Sequence, residues 1–236
     1  MKKKVVKVLF FILFLTLIVL FLIFLFKLCE HEKVEKQFKK VNKIISNSRD
    51  IKSVDYYKKF YNNSDIIAII SIANNDTIVT KTTNNSYYLN HLLDRSYNIL
   101  GNPFLDYRNK ITDKKIIIYG HNAKNYNPPF KILEKYLDYN FYKKNKIINL
   151  KTNEKIIQYE IFTVSIYKNN YIYYDLDIID YKKHYNSLKK KSLYDTNVSL
   201  TSNDDIIILQ TCSNDSNSTY IVIGGKKVYE KMIGSD

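Results

Sequence analysis

Val8–Phe26 is a run of nineteen residues that is apolar throughout except for Thr16. As a helix rising ~1.5 Å per residue it spans roughly 28 Å, the thickness of a bilayer's hydrocarbon core. Lys2, Lys3, Lys4 and Lys7 precede it, whereas Lys27, Glu30, His31, Glu32 and Lys33 follow in near balance. The positive-inside bias then puts the N-terminus in the cytoplasm and the remaining chain outside. A cleavable signal peptide fits less well, because its apolar region is only about 7–15 residues and small residues precede the cut; here Phe26-Lys27-Leu28 offers none. A lipid-modified Cys29 would want a small residue before it, and Leu28 is large. The expectation is a single-pass anchor in the cell membrane with an extracellular domain. The divisions are a tail and transmembrane helix over 1–27, an amphipathic helical stalk over 28–60 and a folded domain over 61–236.

Composition narrows the class of that domain. Hydrophobic content of 45% excludes a disordered chain, and five Gly and three Pro exclude Gly-rich or collagen-like architectures. Cys29 and Cys212, the two cysteines, cannot build a disulfide scaffold or a thiolate zinc site. The formal charge is +14, and five lysines but no acid leave with segment 1–27, so the remainder keeps +9. Such a surface favours anionic neighbours such as lipid headgroups or wall polymers. Arg49, Arg95 and Arg108 are the three arginines, and without an arginine-rich or compact aromatic–basic motif nucleic acid is not an expected partner.

After the stalk, where Val34, Phe38, Val41 and Ile45 recur at helical spacing, the pattern changes to β-branched and aromatic runs. Strands are expected over Ile66–Ile72, Thr77–Thr80, Lys115–Tyr119, Lys146–Leu150, Ile156–Tyr167, Asp205–Thr211 and Tyr220–Ile223. With few glycines, the turns fall to asparagine: Asn62-Asn63, Asn74-Asn75-Asp76, Asn84-Asn85, Asn169-Asn170 and Asn214-Asp215. Helices are expected over Phe130–Tyr142 and Ile178–Leu193. Together these predict a mainly β protein, a closed or nearly closed and mostly antiparallel barrel of about 7–8 strands with peripheral helices.

Cys212 ends the run Ile206-Ile207-Ile208-Leu209-Gln210-Thr211, and His121 ends Lys115-Ile116-Ile117-Ile118-Tyr119-Gly120, which would place both at the barrel rim. A thiolate is a nucleophile, an imidazole can move its proton, and strand ends hold both in fixed geometry. By itself the pattern leaves the bland alternatives open: a strand-end Cys is more often a small core residue, and a lone His a structural one.

Tyr119-Gly120-His121-Asn122, then Leu209-Gln210-Thr211-Cys212, then the strand Tyr220-Ile221-Val222-Ile223 resemble the His strand, the Thr-Cys strand and the closing strand of sortases. Asn85-Ser86-Tyr87-Tyr88-Leu89 and Phe104-Leu105-Asp106-Tyr107-Arg108-Asn109 resemble class B members, over about residues 61–228 in all. The resemblance implies a sortase-type barrel and a cysteine transpeptidase of the outer face of Gram-positive membranes. Such an enzyme cleaves a sorting signal after its Thr, through a thioacyl intermediate, and passes the surface protein to an amine of a peptidoglycan precursor or a pilin. It further implies Cys212 as nucleophile, His121 as acid and base, Asn85 and Leu89 in the substrate groove, and Thr211 orienting the signal's carbonyl, with no metal or organic cofactor.

The family's arginine at the start of the closing strand is missing, since no Arg follows Arg108. Tyr220 stands in its place, or Thr219 if the register slips by one; Lys226 lies about 20 Å further along a strand. A neutral phenol donates one hydrogen bond where guanidinium donates two charge-assisted ones, so a slow enzyme is expected. The competing reading is a sortase-fold module that binds sorting signals or wall peptides without turnover. Papain-type peptidases and transpeptidases with a Ser-His-Gly-Cys type motif match less well, because here Cys212 lies near the C-terminus on a strand.

Overall fold

The computed structural model describes residues 2–47, 52–168, 171–213 and 219–234. The turns expected at Asn169-Asn170 and Asn214-Asp215 lie outside the described residues. The chain divides into two compact units, residues 1–40 and 41–236. Helix α1 (Lys2–Asn47) runs without a break through the apolar stretch, and is long and apolar enough to cross a membrane.

The larger unit is built on eight strands: β1 (Ile66–Ile72), β2 (Asn75–Thr80), β3 (Phe104–Leu105), β4 (Lys115–Tyr119), β5 (Ile147–Lys151), β6 (Lys155–Tyr167), β7 (Ile206–Cys212) and β8 (Tyr220–Met232). They close into a barrel in the order β1-β2-β3-β4-β7-β8-β6-β5. The expected closed, mainly antiparallel barrel is therefore present, with β2–β3 and β4–β7 as its two parallel pairs. Asparagine does turn the chain: Asn62 caps α2 (Val54–Tyr61) in the left-handed region at φ 47°, and Asn74 does the same in the β1–β2 hairpin at φ 62°. Strand β3 escapes sequence reading because two residues show no periodicity. The helix expected over Phe130–Tyr142 is instead a 3₁₀ stretch, Pro129–Leu137, followed by α3 (Tyr139–Lys144), with Asp138 capping the latter through Asn140 N–H. Helix α4 is Tyr181–Lys190.

All five residues of β4, and Ile206–Leu209 of β7, are buried, which explains why these strands read as unbroken Ile runs rather than alternating ones. Alternation nevertheless sorts their side chains into two cores. Ile116, Ile118, Ile207, Leu209, Ile221 and Ile223 join residues from all eight strands inside the barrel. Ile117, Tyr119, Ile206, Ile208 and Val222 point outward and pack under Tyr173, Tyr185, Leu188 and Val198 of the long excursion between β6 and β7. Because side chains alternate with period two, Gln210 and Cys212 continue this outer face, as do His121 and Tyr220.

Gly120, at the end of β4, is required by close approach. A Cβ there would lie 2.5 Å from Cγ of the Phe130 ring, which is fully buried in the barrel core. Gly120→Ala is expected to destabilise the fold by about 1–3 kcal/mol, several degrees in Tm, through overpacking. A thermal melt of the full-length chain in detergent checks this, and an unchanged Tm would show that Phe130 yields without cost.

Candidate active site

The parallel register of β4 on β7 runs from Lys115 opposite Ile206 to Tyr119 opposite Gln210. Two residues further, the same register brings His121 level with Cys212. The chains stay side by side there: Gly120 N–H donates to the Gln210 carbonyl at 3.1 Å, Thr211 Oγ1 donates to the Gly120 carbonyl at 2.8 Å, and Asn122 Nδ2 donates to the Cys212 carbonyl at 3.1 Å. On the other side of β7, Cys212 is the direct antiparallel partner of Tyr220. Directly opposed residues share a face with Cβ atoms about 4.5–5.5 Å apart.

His121, Cys212 and Tyr220 accordingly line one cavity of about 570 Å³, together with Asn85, Leu89, Phe104, Tyr119, Gly120, Gln210 and residues 171–175. That volume falls within the roughly 300–1,000 Å³ usual for ligand sites. The cavity lies against the outer face of the barrel wall, beneath the β6–β7 excursion. His121 and Cys212 both lie at strand ends, and strand parity decides which way they face: odd residues of β4 and even residues of β7 point away from the interior.

The chemistry available here is set by burial and by a few hydrogen bonds. Cys212 remains accessible to solvent, yet the enclosing walls push its thiol above the ordinary value, so at neutral pH it rests protonated. His121 Nε2 lies 2.6 Å from the Leu89 carbonyl. A carbonyl can only accept, so Nε2 carries the proton and a neutral ring keeps Nδ1 free to receive one. Tyr220 is raised by burial and by the neighbouring Cys212 and Tyr171, which keeps its phenol neutral and able to donate; the Tyr171 ring packs edge-on at 5.4 Å.

Five of the six residues singled out from sequence thus come together. Thr211 does not line the cavity: it is 1% exposed, and its hydroxyl ties the end of β7 to the end of β4. Asn85 is doubly engaged, accepting from Tyr107 N–H at 2.8 Å and donating to Asp106 Oδ2 at 3.2 Å. Leu89 acts on His121 through its backbone carbonyl, which side-chain identity did not reveal. Sequence reading also missed the carboxylate beneath the cavity floor. Asp106 is fully buried and accepts from Tyr119 Oη at 2.7 Å and from Arg108 Nε and Nη2 at 2.9 and 2.8 Å. Burial opposes its charge, but the Arg108 and Tyr119 bonds prevail and hold its carboxyl below the usual range. Among the described residues no cluster of three or more His, Cys, Asp or Glu side chains could hold a metal ion.

A sortase-domain family model matches residues 70–228, most of the barrel and every residue of this cavity. The chain belongs to the sortase family. It is 31% identical over 175 residues to sortase B of Listeria monocytogenes, covering 70% of this chain and 71% of that protein. The fold superimposes on Clostridium perfringens sortase B with a TM-score of 0.69 at 26% identity, covering 75% of this chain and all of that one. A Staphylococcus aureus sortase B–substrate complex aligns with a TM-score of 0.67 at 25% identity, over 86% and 96% of the two chains. Its relatives are class B sortases, and the class B-like resemblance of the sequence holds. In this sortase Tyr220 stands opposite Cys212 at the start of the closing strand β8.

Because burial raises the Cys212 thiol, its alkylation rate is expected to keep climbing with pH past the ordinary thiol range, the thiolate fraction growing as pH rises. Stopped alkylation with intact-mass readout between pH 6 and 10 checks this. A half-maximum at or below pH 7 would instead indicate a thiolate held by imidazolium.

Proposed function

We propose that this sortase is a membrane-anchored cysteine transpeptidase that cleaves a sorting signal after threonine and transfers the acyl chain to an amine. The observation that carries the reading is the convergence of Cys212, His121 and Tyr220 on one cavity in a chain whose relatives are class B sortases. His121 Nδ1 takes the Cys212 proton, and the sulfur attacks the threonine carbonyl carbon. Tyr220 Oη donates to the oxygen as it becomes negative. The carbon–nitrogen bond then breaks, the leaving amine takes the proton from His121, and a thioacyl enzyme remains. An incoming amine attacks that carbonyl, gives its proton to His121, and Cys212 departs as thiolate. Asn85 and Leu89 shape the wall that receives the signal, and Thr211 acts by holding Gly120, and hence His121, in place.

The substrates on this reading are surface proteins bearing a sorting signal, and the acceptor is a peptidoglycan precursor or pilin amine. Residues 1–27 form the tail and anchor, 28–60 the stalk and 61–236 the catalytic domain, with the lysines before Val8 favouring a cytoplasmic N-terminus. A module that binds signals without turnover is the second reading, and the absent arginine is what favours it.

Cys212→Ala is expected to abolish turnover and thioacyl trapping with the fold intact, and His121→Ala to remove most of both; wild-type rates in either would refute the assigned roles. Tyr220→Phe is expected to lower kcat roughly 10²-fold, the typical cost of one oxyanion donor. If signal peptides bind but no adduct forms with any of them, the chain is the binding module.

A further inference from the structure

One wall of the cavity comes from the β6–β7 excursion, and little regular structure supports it. Ile172–Tyr174 form a single 3₁₀ turn, followed by irregular chain up to Asp180, the cap of α4. The turn is fastened to the barrel by side chains. Tyr173 Oη donates to Gln210 Oε1 at 3.0 Å. Arg108 Nη2 donates to the Tyr174 carbonyl at 3.3 Å, with the guanidinium 4.2 Å over that ring. Lys115 Nζ donates to the Asp175 carbonyl at 2.5 Å. Two consecutive carbonyls at the C-terminal end of the turn, where unpaired acceptors collect, each accept from a basic side chain, Arg108 after β3 and Lys115 on β4.

Lys115 is the unexpected member. It is the first residue of β4 and only 3% exposed, a degree of burial that lysine reaches almost only when partnered. Its second partner is Nε2 of His184 on α4, at 2.9 Å. Lysine can only donate while charged, so His184 Nε2 presents a lone pair and its ring is neutral. Burial, aided by the Lys115 charge, pushes His184 down to about 4, so this state persists at neutral pH. Burial likewise lowers Lys115 to about 7, against the pull of the Asp175 carboxylate and with that of Arg108; charged or neutral, Nζ has enough hydrogens for both bonds. One side chain therefore clasps three elements: the strand that leads to His121, the end of the cavity wall, and α4.

Methionine in place of Lys115 would fill the space but leave the Asp175 carbonyl and His184 Nε2 without their shared donor, a cost in stability. What methionine could not do is hold a particular carbonyl at a particular place. We propose that Lys115 is a positioning residue for substrate recognition: its ammonium, aimed by His184, grips the Asp175 carbonyl and so fixes the 171–175 wall of the cavity relative to the strand bearing His121. This rests on the transpeptidase reading only where turnover is measured.

The test is Lys115→Met in the full-length chain in detergent, read by thermal melt, by steady-state kinetics on a signal peptide cleaved by the wild type, and by amide hydrogen exchange. The expected result is a cooperative melt with Tm lowered by several degrees, KM raised about tenfold with kcat changed less than threefold, and amides of residues 172–176 exchanging at least tenfold faster while those of β4 and β7 are unchanged. Unchanged exchange over 172–176 and an unchanged KM would overturn the proposal. Should Lys115→Met fail to fold, His184→Gln and His184→Leu decide: the amide oxygen of Gln restores an acceptor and is expected to keep wild-type exchange, and Leu to accelerate it. Equal behaviour of the two would overturn the role given to His184. If the wild type turns over no peptide, the transpeptidase reading fails by itself, and exchange over 172–176 still decides the positioning role.

Discussion

The parallel pairing of β4 with β7 is the constraint on which the site depends. The two strands are separated by the whole of β5, β6 and the helical excursion, and their ladder sets His121 and Cys212 at one level. Regular backbone pairing ends at Tyr119 opposite Gln210, two residues short of His121 and Cys212. Beyond that point the fold holds alignment with the Gly120 amide and with two side chains of uncharged polarity, Thr211 and Asn122, each donating to a carbonyl on the other strand. A buried hydroxyl or amide without such a partner costs more than the bond itself contributes, so these residues suit strand ends where the ladder has run out. Gly120 belongs to the same device, because Phe130 leaves no room for a side chain.

Charge is handled differently above and below the cavity. The cavity itself is lined by tyrosines, His121 and a neutral thiol, with Asp175 also on its wall, while the ion pair of Asp106 with Arg108 is sunk beneath it. Asp106 makes bonds to Arg108, Tyr119 and Asn85, so a single carboxylate orients three side chains of the floor. In such surroundings a hydrogen bond donated by the Tyr220 phenol is stronger than the same bond in water.

Much of the barrel was legible because its strands are buried on one or both faces, and burial writes itself into sequence as long β-branched runs. The long N-terminal helix was legible for the same reason, as apolar length. What escaped were features whose signal is not hydrophobic. Strand β3 is too short to show a period, the 3₁₀ stretch Pro129–Leu137 carries the same apolar spacing as a helix would, and the parallel hand of β4–β7 is not a property of either strand alone. Of the site, Cys212, His121 and Tyr220 were found because strand ends and a motif mark them. Leu89's carbonyl, the Asp106 carboxylate and the Lys115–His184 contact were not, because a carbonyl has no sequence identity and the others look like ordinary surface charge.

The sequence by itself determined that a membrane-length helix precedes a β-rich domain in which one thiol and one imidazole end apolar strands, because those facts follow from hydrophobic length, period and residue type. Only the tertiary structure decided that both groups face outward into a covered cavity, that Tyr220 stands beside the sulfur, and that Thr211 is a fastening for the strands. The reason is register: each strand's side chains alternate between two faces, and which face meets which neighbour is settled by pairing between segments far apart in the chain.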